Sequence, residues 1–498
     1  MTSAQALTLF ALRNVAATPL PELVQLCSQR LQAGERLLAL FGRPAPELGA
    51  NIIMVTAVLQ PAQGALALLR ATAERGDHYR CLTAQHPAAQ ILERELWEQT
   101  GLFPDGHPWL KPVRFEGERQ QRMSDYPFFK VRGHEVHEVA VGPIHASVIE
   151  PGHFRFMCLG ETVHHLEIQL GYQHRGVEAL LLRRPVWQLT PLVESICGDS
   201  AVAYAWGYCA ALEFMSNQAV APAVHASRAI ALEMERVAMH LASLGGMATD
   251  IAFLQGGATY GRLRTAIINA SQRVCGNRFG RGWIRPGQAK PLSAALQQDL
   301  NQTLTAFATD FAQVNQLMLS ARSVQARLHG TGTVSQRAAL DLGLVGPVAR
   351  ACGVALDGRT QWPAAAYGHA PMPLVTETAG DCWARMRLRM REVDASVAWL
   401  LRTLADTALD LSQAGQAQPN IPAALQPDAL CVSLVEGTRG PVLQVLETSP
   451  KGELLHYKVQ DPSLANWFGL AFAMRDNAIS DFPICNKSFD LSYCGNDL

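Results

Sequence analysis

AIALEMERVAMHLASL, residues 229–244, sets apolar side chains at Ile230, Met234, Val237, Leu241 and Leu244. Steps of four and three residues stack them as one stripe of an α-helix, whose turn is 3.6 residues. Glu233, Arg236 and His240 run as a polar line along the border of that stripe. A second stripe passes through Trp383, Met386, Met390, Val393, Val397, Leu401, Leu404, Ala408 and Leu411. It predicts a helix of roughly 30 residues, far above the mean length. Two long amphipathic helices need partners for their apolar faces, so a helical bundle is expected.

Other patterns surround the bundle. Beyond a loop at 414–427, residues 429–435, 441–447 and 453–459 read as strands of a small antiparallel sheet, the last two joined by a Ser-Pro-Lys-Gly turn. The last 20 residues are irregular but rich in Phe, Tyr, Cys and Asn, so a docked tail is expected. Near the other end, NIIMVTAVL (51–59) is a β-rich run and PAAQILERELWEQT (87–100) has helical spacing. The polar stretch 112–138, with Arg114-Phe-Glu-Gly-Glu-Arg-Gln-Gln-Arg122, reads as a connector. The expected class is α+β. An α+β domain over 1–112 leads through a linker at 113–138 to a large, mainly α-helical bundle domain with small antiparallel sheets over 139–498.

Composition narrows the function classes. The 498 residues are 48% apolar, enough for a large core and too apolar for disorder. Lys plus Arg is 42 and Asp plus Glu is 43, a net charge of −1, so no overall field draws the chain onto nucleic acid or anionic lipid. No uninterrupted apolar run reaches the 18 or so residues that cross a bilayer. Residues 1–12 lack the pattern of a secretory signal. Eleven scattered cysteines suit a reducing compartment rather than a disulfide framework, and the chain is expected to be cytoplasmic.

Two segments carry a thiol, two spacers and a hydroxyl: Glu194-Ser-Ile-Cys197-Gly-Asp-Ser200 and Pro483-Ile-Cys485-Asn-Lys-Ser488. A Cys-x-x-Cys pair would let two thiolates converge on one metal, whereas serine is a poor ligand for a soft one. Two buried structural cysteines are the bland reading. His145, His153, His164, His165 and His174 cluster without the helical spacing of a zinc site. Arg385, Arg389 and Glu392, with Asp381 before them, read as a surface ion-pair ladder. There is no Walker loop, Gly330-Thr-Gly332 is a lone glycine pair, and no Gly-x-Ser-x-Gly elbow occurs.

A set of ordered stretches adds to this reading. Gly142-Pro-Ile-His145, Glu150-Pro-Gly-His153-Phe-Arg155, Gly171-Tyr-Gln-His174-Arg175-Gly-Val-Glu178 and the Cys197 segment come first. Glu235-Arg-Val-Ala-Met-His240, Ile284-Arg-Pro-Gly287, Gly380-Asp-Cys-Trp-Ala-Arg385 and Pro450-Lys-Gly-Glu453 follow. Together they resemble the large subunit of energy-converting [NiFe] hydrogenases and, equally, the quinone-site 49-kDa subunit of respiratory complex I. The N-terminal unit resembles the 30-kDa companion subunit, through Glu93-Arg-Glu-Leu-Trp97 and Gly106-His-Pro-Trp-Leu110. Both units in one chain resemble the fused large subunit of formate-hydrogenlyase-type complexes.

The resemblance implies an oxidoreductase subunit that does not itself span the membrane. It would sit on the cytoplasmic face of the inner membrane against a small Fe–S subunit (20-kDa-like), a ferredoxin-like subunit and antiporter-like membrane subunits. The Fe–S clusters would lie in partner subunits. In hydrogenases of this family two Cys-x-x-Cys pairs hold nickel and iron, and in complex I the same cavity admits a quinone. Mapped residue by residue, Cys197 and Cys485 keep the first position of each pair and are the residual metal-ligand positions. Ser200 and Ser488 replace the bridging cysteines, so an ordinary [NiFe] centre is not expected and a quinone is the organic candidate. Glu150 matches a proton-relaying glutamate, and Pro151 or His153 falls at the quinone-contacting loop histidine. The expected site is therefore Glu150, His153, Cys197 and Cys485 as catalytic groups, with His145, His174, Arg175, Asp199, Ser200 and Ser488 around a cofactor. Electron transfer to an acceptor in a modified cavity is the leading expectation. A catalytically dead scaffold, and a hydrogenase ligated by Cys197 and Cys485 alone, stand beside it. The chain runs 13 residues past Cys485, and a tail of the kind removed after nickel insertion is not expected.

Overall fold

The structure, a computed structural model, describes residues 7–62, 64–116, 122–133, 135–146, 149–363, 365–415 and 425–498. Of the expected linker at 113–138, residues 117–121 and 134 lie outside the described residues. So do 416–424 of the loop at 414–427 and the first six residues of the N-terminal stretch.

The bundle is built on the 29-residue helix Pro222–Asp250, which contains the 229–244 stripe. Pro222 stands at its start, where the missing N–H costs nothing and the fixed φ suits a helix. It packs against Leu254–Cys275 and Cys382–Leu404, and Ala294–Ser320 closes the bundle on their far side. Asp381 caps the third of these through Ala384 N at 2.8 Å. That helix has 23 residues, shorter than the stripe predicts. Past Leu404 the Asp406 carboxylate accepts from Ala408 N at 2.9 Å, and this local turn ends the helix. Leu411 then opens a separate short 3₁₀ turn, Leu411–Gly415, that continues the buried face.

The polar residues on these helices lie inside the bundle, which corrects the surface ladder. Arg385, Arg389 and Glu392 are all fully buried, as are Glu233, Arg236 and His240. Glu392 accepts from Arg350 Nε at 2.8 Å and meets His240 Nε2 at 2.7 Å. Glu233 meets Arg359 Nη1 at 3.1 Å, Arg236 Nε at 3.3 Å and the Tyr367 hydroxyl at 2.6 Å. Charges can be buried when paired and hydrogen-bonded, and Arg350 and Arg359 come from another part of the chain.

The predicted C-terminal sheet is present as Ala429–Gly437, Gly440–Thr448 and Leu454–Gln460, all antiparallel. Its fourth, edge strand is Leu7–Ala11, from the opposite end of the chain. A second sheet orders Ala17–Pro19, Ala67–Glu74, Ile52–Gln60 and Arg36–Pro44, flanked by Leu20–Gln32 and Gln90–Thr100. A third consists of Val136–Val141, His153–Leu159 and Thr162–Gln169. Buried ion pairs tie the N-terminal elements to the rest. Glu447 accepts from Arg43 at 3.0 Å and Arg70 at 2.6 Å, and Glu95 meets Arg114 and, at 2.7 Å, Lys458. The result is the mixed α+β class expected, with a helical bundle and small antiparallel sheets.

The tail is docked, yet helical rather than irregular: Phe482–Phe489 and Tyr493–Asp497. Pro483 begins the first and the Ser492 side chain caps the second at Gly495 N. Among the described residues, no helix is long and apolar enough to cross a membrane.

Candidate functional site

Cys197 lies in the loop that feeds the apolar helix Ala201–Met215. Glu194 anchors the start of that loop by accepting from Gly282 N at 2.7 Å and Arg285 Nη1 at 2.8 Å. Glu235, on the long helix, anchors its end by accepting from Val202 N at 2.7 Å and Ala203 N at 3.3 Å. Between them the Cys197 thiol is fully buried. It lies 3.0 Å from Asp199 Oδ1, 3.2 Å from Ser492 Oγ and 3.9 Å from Arg439 Nη1, and it also interacts with the Cys494 thiol.

Arg439 occupies the two-residue turn of the hairpin formed by the strands Ala429–Gly437 and Gly440–Thr448. Its guanidinium binds both Asp199 oxygens at 2.8 Å and the Asp490 carbonyl. Ser200 Oγ rests 3.5 Å from both Arg439 Nη1 and Thr438 Oγ1. Arg175 ties the two thiol segments together: its Nη atoms donate to the carbonyls of Ser195, Ile196 and Cys494 at 2.9, 2.8 and 3.1 Å. Asp497 completes the wrap by accepting from Gly171 N at 2.8 Å and Gln173 N at 2.9 Å.

The thiols differ electrostatically. The neighbouring Cys494 thiol, burial and the charge of nearby Asp199 push the Cys197 thiol well up. Cys494, its partner, is pulled down although burial and Glu150 oppose it. Burial alone would raise the Asp199 carboxyl, but Arg439 overrides it and holds the group at about 2. Glu235 has no such partner, and burial lifts it to about 8.

The expected residues divide into groups. Cys197, Asp199 and Ser200 are brought together, and Glu150 reaches them through Cys494. Arg175 and His174 hold the frame; His174 Nδ1 meets the Asp497 carbonyl at 2.7 Å. His145 meets the Gly152 carbonyl at 2.8 Å, and the His153 ring packs on Phe128 with Nε2 buried and, among the described residues, without a hydrogen-bond partner. Cys485 and Ser488 are not at this site. Among the described residues, no hydrogen bond or ion pair joins them to Cys197, and the sulfur neighbour of Cys485 is Cys382. The tail residues facing Cys197 are Ser492 and Cys494, seven and nine residues beyond Cys485, whereas the thiol–hydroxyl spacing points to Cys485 and Ser488. The string Ser492-Tyr-Cys494 after Asp490 was the available signal. Arg439 carried none, since an arginine in a hairpin turn ordinarily reads as solvated.

A pocket of about 410 Å³ opens beside Gly198 and Asp199. Met239 and Phe279 give it an apolar wall, and Arg264, Arg278 and Arg281 surround it.

Residues 250–426 match the family described as the respiratory-chain NADH dehydrogenase 49 Kd subunit. The carbon monoxide-induced hydrogenase of Rhodospirillum rubrum is 30% identical over 357 residues, spanning 71% of this chain and 96% of that protein. This chain belongs to the family of hydrogenase large subunits and complex I 49-kDa subunits. Formate hydrogenlyase subunit 5 of Escherichia coli K12, a 28% identical relative, aligns over 97% of this chain and 88% of its own length. Among solved structures, a chain of the archaeal membrane-bound sulfane sulfur reductase superposes with a TM-score of 0.66, covering 73% of this chain and 99% of that one, at 21% identity. That likeness is one of fold.

A [NiFe] centre, which some members of the family hold, does not fit the donors present. Cys197 and Cys494 supply two thiols, Ser200 and Ser492 supply hydroxyls, and the Arg439 guanidinium stands 3.9 Å from the Cys197 sulfur. Hydroxyls are poor ligands for soft metals, and a fixed cation disfavours another. Among the described residues, no cluster of three or more His, Cys, Asp or Glu is placed to hold a metal ion.

Proposed function

We propose that the chain is the large peripheral subunit of a membrane-attached, complex I-like or energy-converting-hydrogenase-like oxidoreductase. It passes electrons between an Fe–S cluster in a neighbouring small subunit and an acceptor at the Cys197–Cys494 site. The observation that carries this reading is the organised thiol site itself. Arg175 and Arg439 converge on the two segments that bear the thiols, and the Glu150 and Asp199 carboxylates flank them. The two thiols and their carboxylates suit an organic acceptor such as a quinone better than a bridged metal pair. A ferredoxin-like subunit, antiporter-like membrane subunits and a place on the cytoplasmic face of the membrane complete the proposal, in line with the multisubunit relatives.

The hydroxyls of Ser200 and Ser492 near the Cys197 thiol, where a bridged metal would need further thiolates, favour a second reading, a scaffold with a dead site. One experiment separates the two. The intact complex is assayed with a low-potential donor against protons, a quinone and an organic disulfide, as wild type and as Cys197→Ala, Cys494→Ala and Glu150→Gln. Loss of turnover with the complex still assembled supports electron transfer at this site. Unchanged turnover in all three variants overturns it in favour of the scaffold.

A further inference from the structure

A second sulfur pair lies apart from the Cys197 site. Cys382 is the first residue of the helix Cys382–Leu404, and Cys485 lies on Phe482–Phe489. Their Sγ atoms are 3.9 Å apart and both side chains are fully buried. Arg385, one turn along, places Nη2 3.4 Å from the Cys382 sulfur and Nε 2.9 Å from Ser488 Oγ. Ser488 Oγ itself lies 3.5 Å from that sulfur.

The charge balance here is unusual. Arg385 is fully buried, and among the described residues no carboxylate lies within ion-pair distance of it. Its other donors go to the Gly380 and Gly332 carbonyls at 2.8 and 3.0 Å. Arg389, one turn further, is buried too, and its Nη atoms reach carbonyls alone. Isolated buried guanidinium charge is costly. The Cys382 thiolate, at a helix N-terminus, supplies the missing anion. Burial opposes that ionisation, but Cys485, Arg385 and Ser488 together bring the thiol down to about 6.

Space has been left for the second sulfur. Gly332 has φ +62°, and a Cβ there would stand 2.5 Å from Cys485 Sγ. Its neighbours Gly330 and Thr333 are exposed, so one loop separates the pair from solvent.

We propose that Cys382 and Cys485 form an oxidation site: Cys382 is the thiolate that reacts with small hydroperoxides, and Cys485 is the thiol that resolves it to a disulfide. The thiolate sulfur attacks the peroxide O–O bond and, with one proton, leaves a sulfenic acid and an alcohol, or water from hydrogen peroxide. The Cys485 thiol then displaces water from the sulfenic acid and forms the S–S bond. One peroxide is reduced by two electrons as two thiols are oxidised. Closing 3.9 Å to the ~2.05 Å of a disulfide draws the two helices together. Phe482–Phe489 leads directly into Asp490, Ser492 and Cys494, so oxidation is felt at the Cys197 site. The inference does not depend on which acceptor that site serves.

The test uses the intact complex, purified reduced under argon, treated with hydrogen peroxide, alkylated and digested with trypsin. Cys382 and Cys485 fall in the single-cysteine peptides 360–385 and 476–487. The expected product is these two peptides joined, and separated again by dithiothreitol. Cys485→Ser abolishes the link and sends Cys382 on to the sulfinic acid. Gly332→Ala, which crowds Cys485 without removing a thiol, lowers the yield about tenfold. Native spectra and co-purification of the variants report folding. The proposal is overturned if Cys382 reaches the sulfinic acid as fast in wild type as in Cys485→Ser. It is also overturned if Cys382 oxidises no faster than Cys431, a buried cysteine with no guanidinium beside it among the described residues.

Discussion

Arg439 grips Asp199 with two hydrogen bonds of 2.8 Å, Nη1 to Oδ1 and Nη2 to Oδ2, while Nη1 lies 3.9 Å from the Cys197 sulfur. The carboxylate and the thiol thus compete for one guanidinium, and the carboxylate has won. The strand hairpin, the Cys197 loop and, through the Asp490 carbonyl, the tail all meet at this side chain. Its planar fork fixes their relative placement as a lysine would not.

Removing the competitor makes the thiol more acidic. Asp199 both accepts from Cys197 and raises its pKa by its charge. In Asp199→Asn that charge goes and Arg439 turns to the sulfur. A fall of one unit means about tenfold more thiolate, so iodoacetamide should label Cys197 about tenfold faster at neutral pH. Arg439→Met should slow it. Equal rates in the three proteins, read by peptide mapping, would show that the pair does not set the thiol's reactivity.

Metal content follows from the donor set. Two thiols, two hydroxyls and a guanidinium do not make a thiolate-bridged site. The complex isolated without oxygen should contain far less than one nickel per chain, and its iron should match acid-labile sulfide. Stoichiometric nickel would refute the donor argument and turn attention to hydrogen chemistry.

Much of the architecture was legible because periodicity reports it directly. The 229–244 stripe and the three C-terminal strands are one-dimensional signals, and they appear where they were expected. What was not legible depends on distant partners. No spacing rule shows that Leu7–Ala11 would pair with Ala429–Ser433. Arg385, Arg389 and Glu392 have the spacing of a surface ladder, and Arg350 and His240, which bury Glu392, come from elsewhere in the chain. At the site, Cys197, Asp199 and Ser200 were found from one short motif. Cys494 and Arg439 needed the fold, since 297 and 242 residues separate them from Cys197.

Glu235 gives the site a pH signature. Burial lifts its carboxyl to about 8, from the usual 4.5, although Val202 N and Ala203 N stabilise the charged form. The folded chain therefore binds a proton on this group that the unfolded chain has released. Between those two values stability falls as pH rises, and outside them this group contributes no slope. Glu235→Gln removes that slope, about 1.4 kcal/mol per pH unit at its steepest. Melting temperatures of wild type and variant, compared from pH 5 to 9, should therefore converge toward the acid side, while the wild type loses ground toward the alkaline side. Parallel curves would mean that Glu235 is ionised throughout.

Glu447 tests how the N-terminal sheet is held. Its Oε1 accepts from Arg43 and Arg70, which lie on the two strands that flank Ile52–Gln60 in that sheet, and all three side chains are nearly inaccessible to water. Arg43 keeps a second carboxylate, Glu47, at 2.8 Å, whereas Arg70 has no other ion pair among the described residues. Glu447→Leu therefore strands one buried cation, at a cost of about 3–5 kcal/mol. The loss should be local, seen as faster amide exchange in Ala67–Glu74 with the helix Pro222–Asp250 still protected. Adding Arg70→Leu removes the stranded charge and should recover most of the stability, since the residues act as one unit. If the double variant is as unstable as the sum of the two single ones, the cost lies in lost packing and the ion pair is not what docks the sheet.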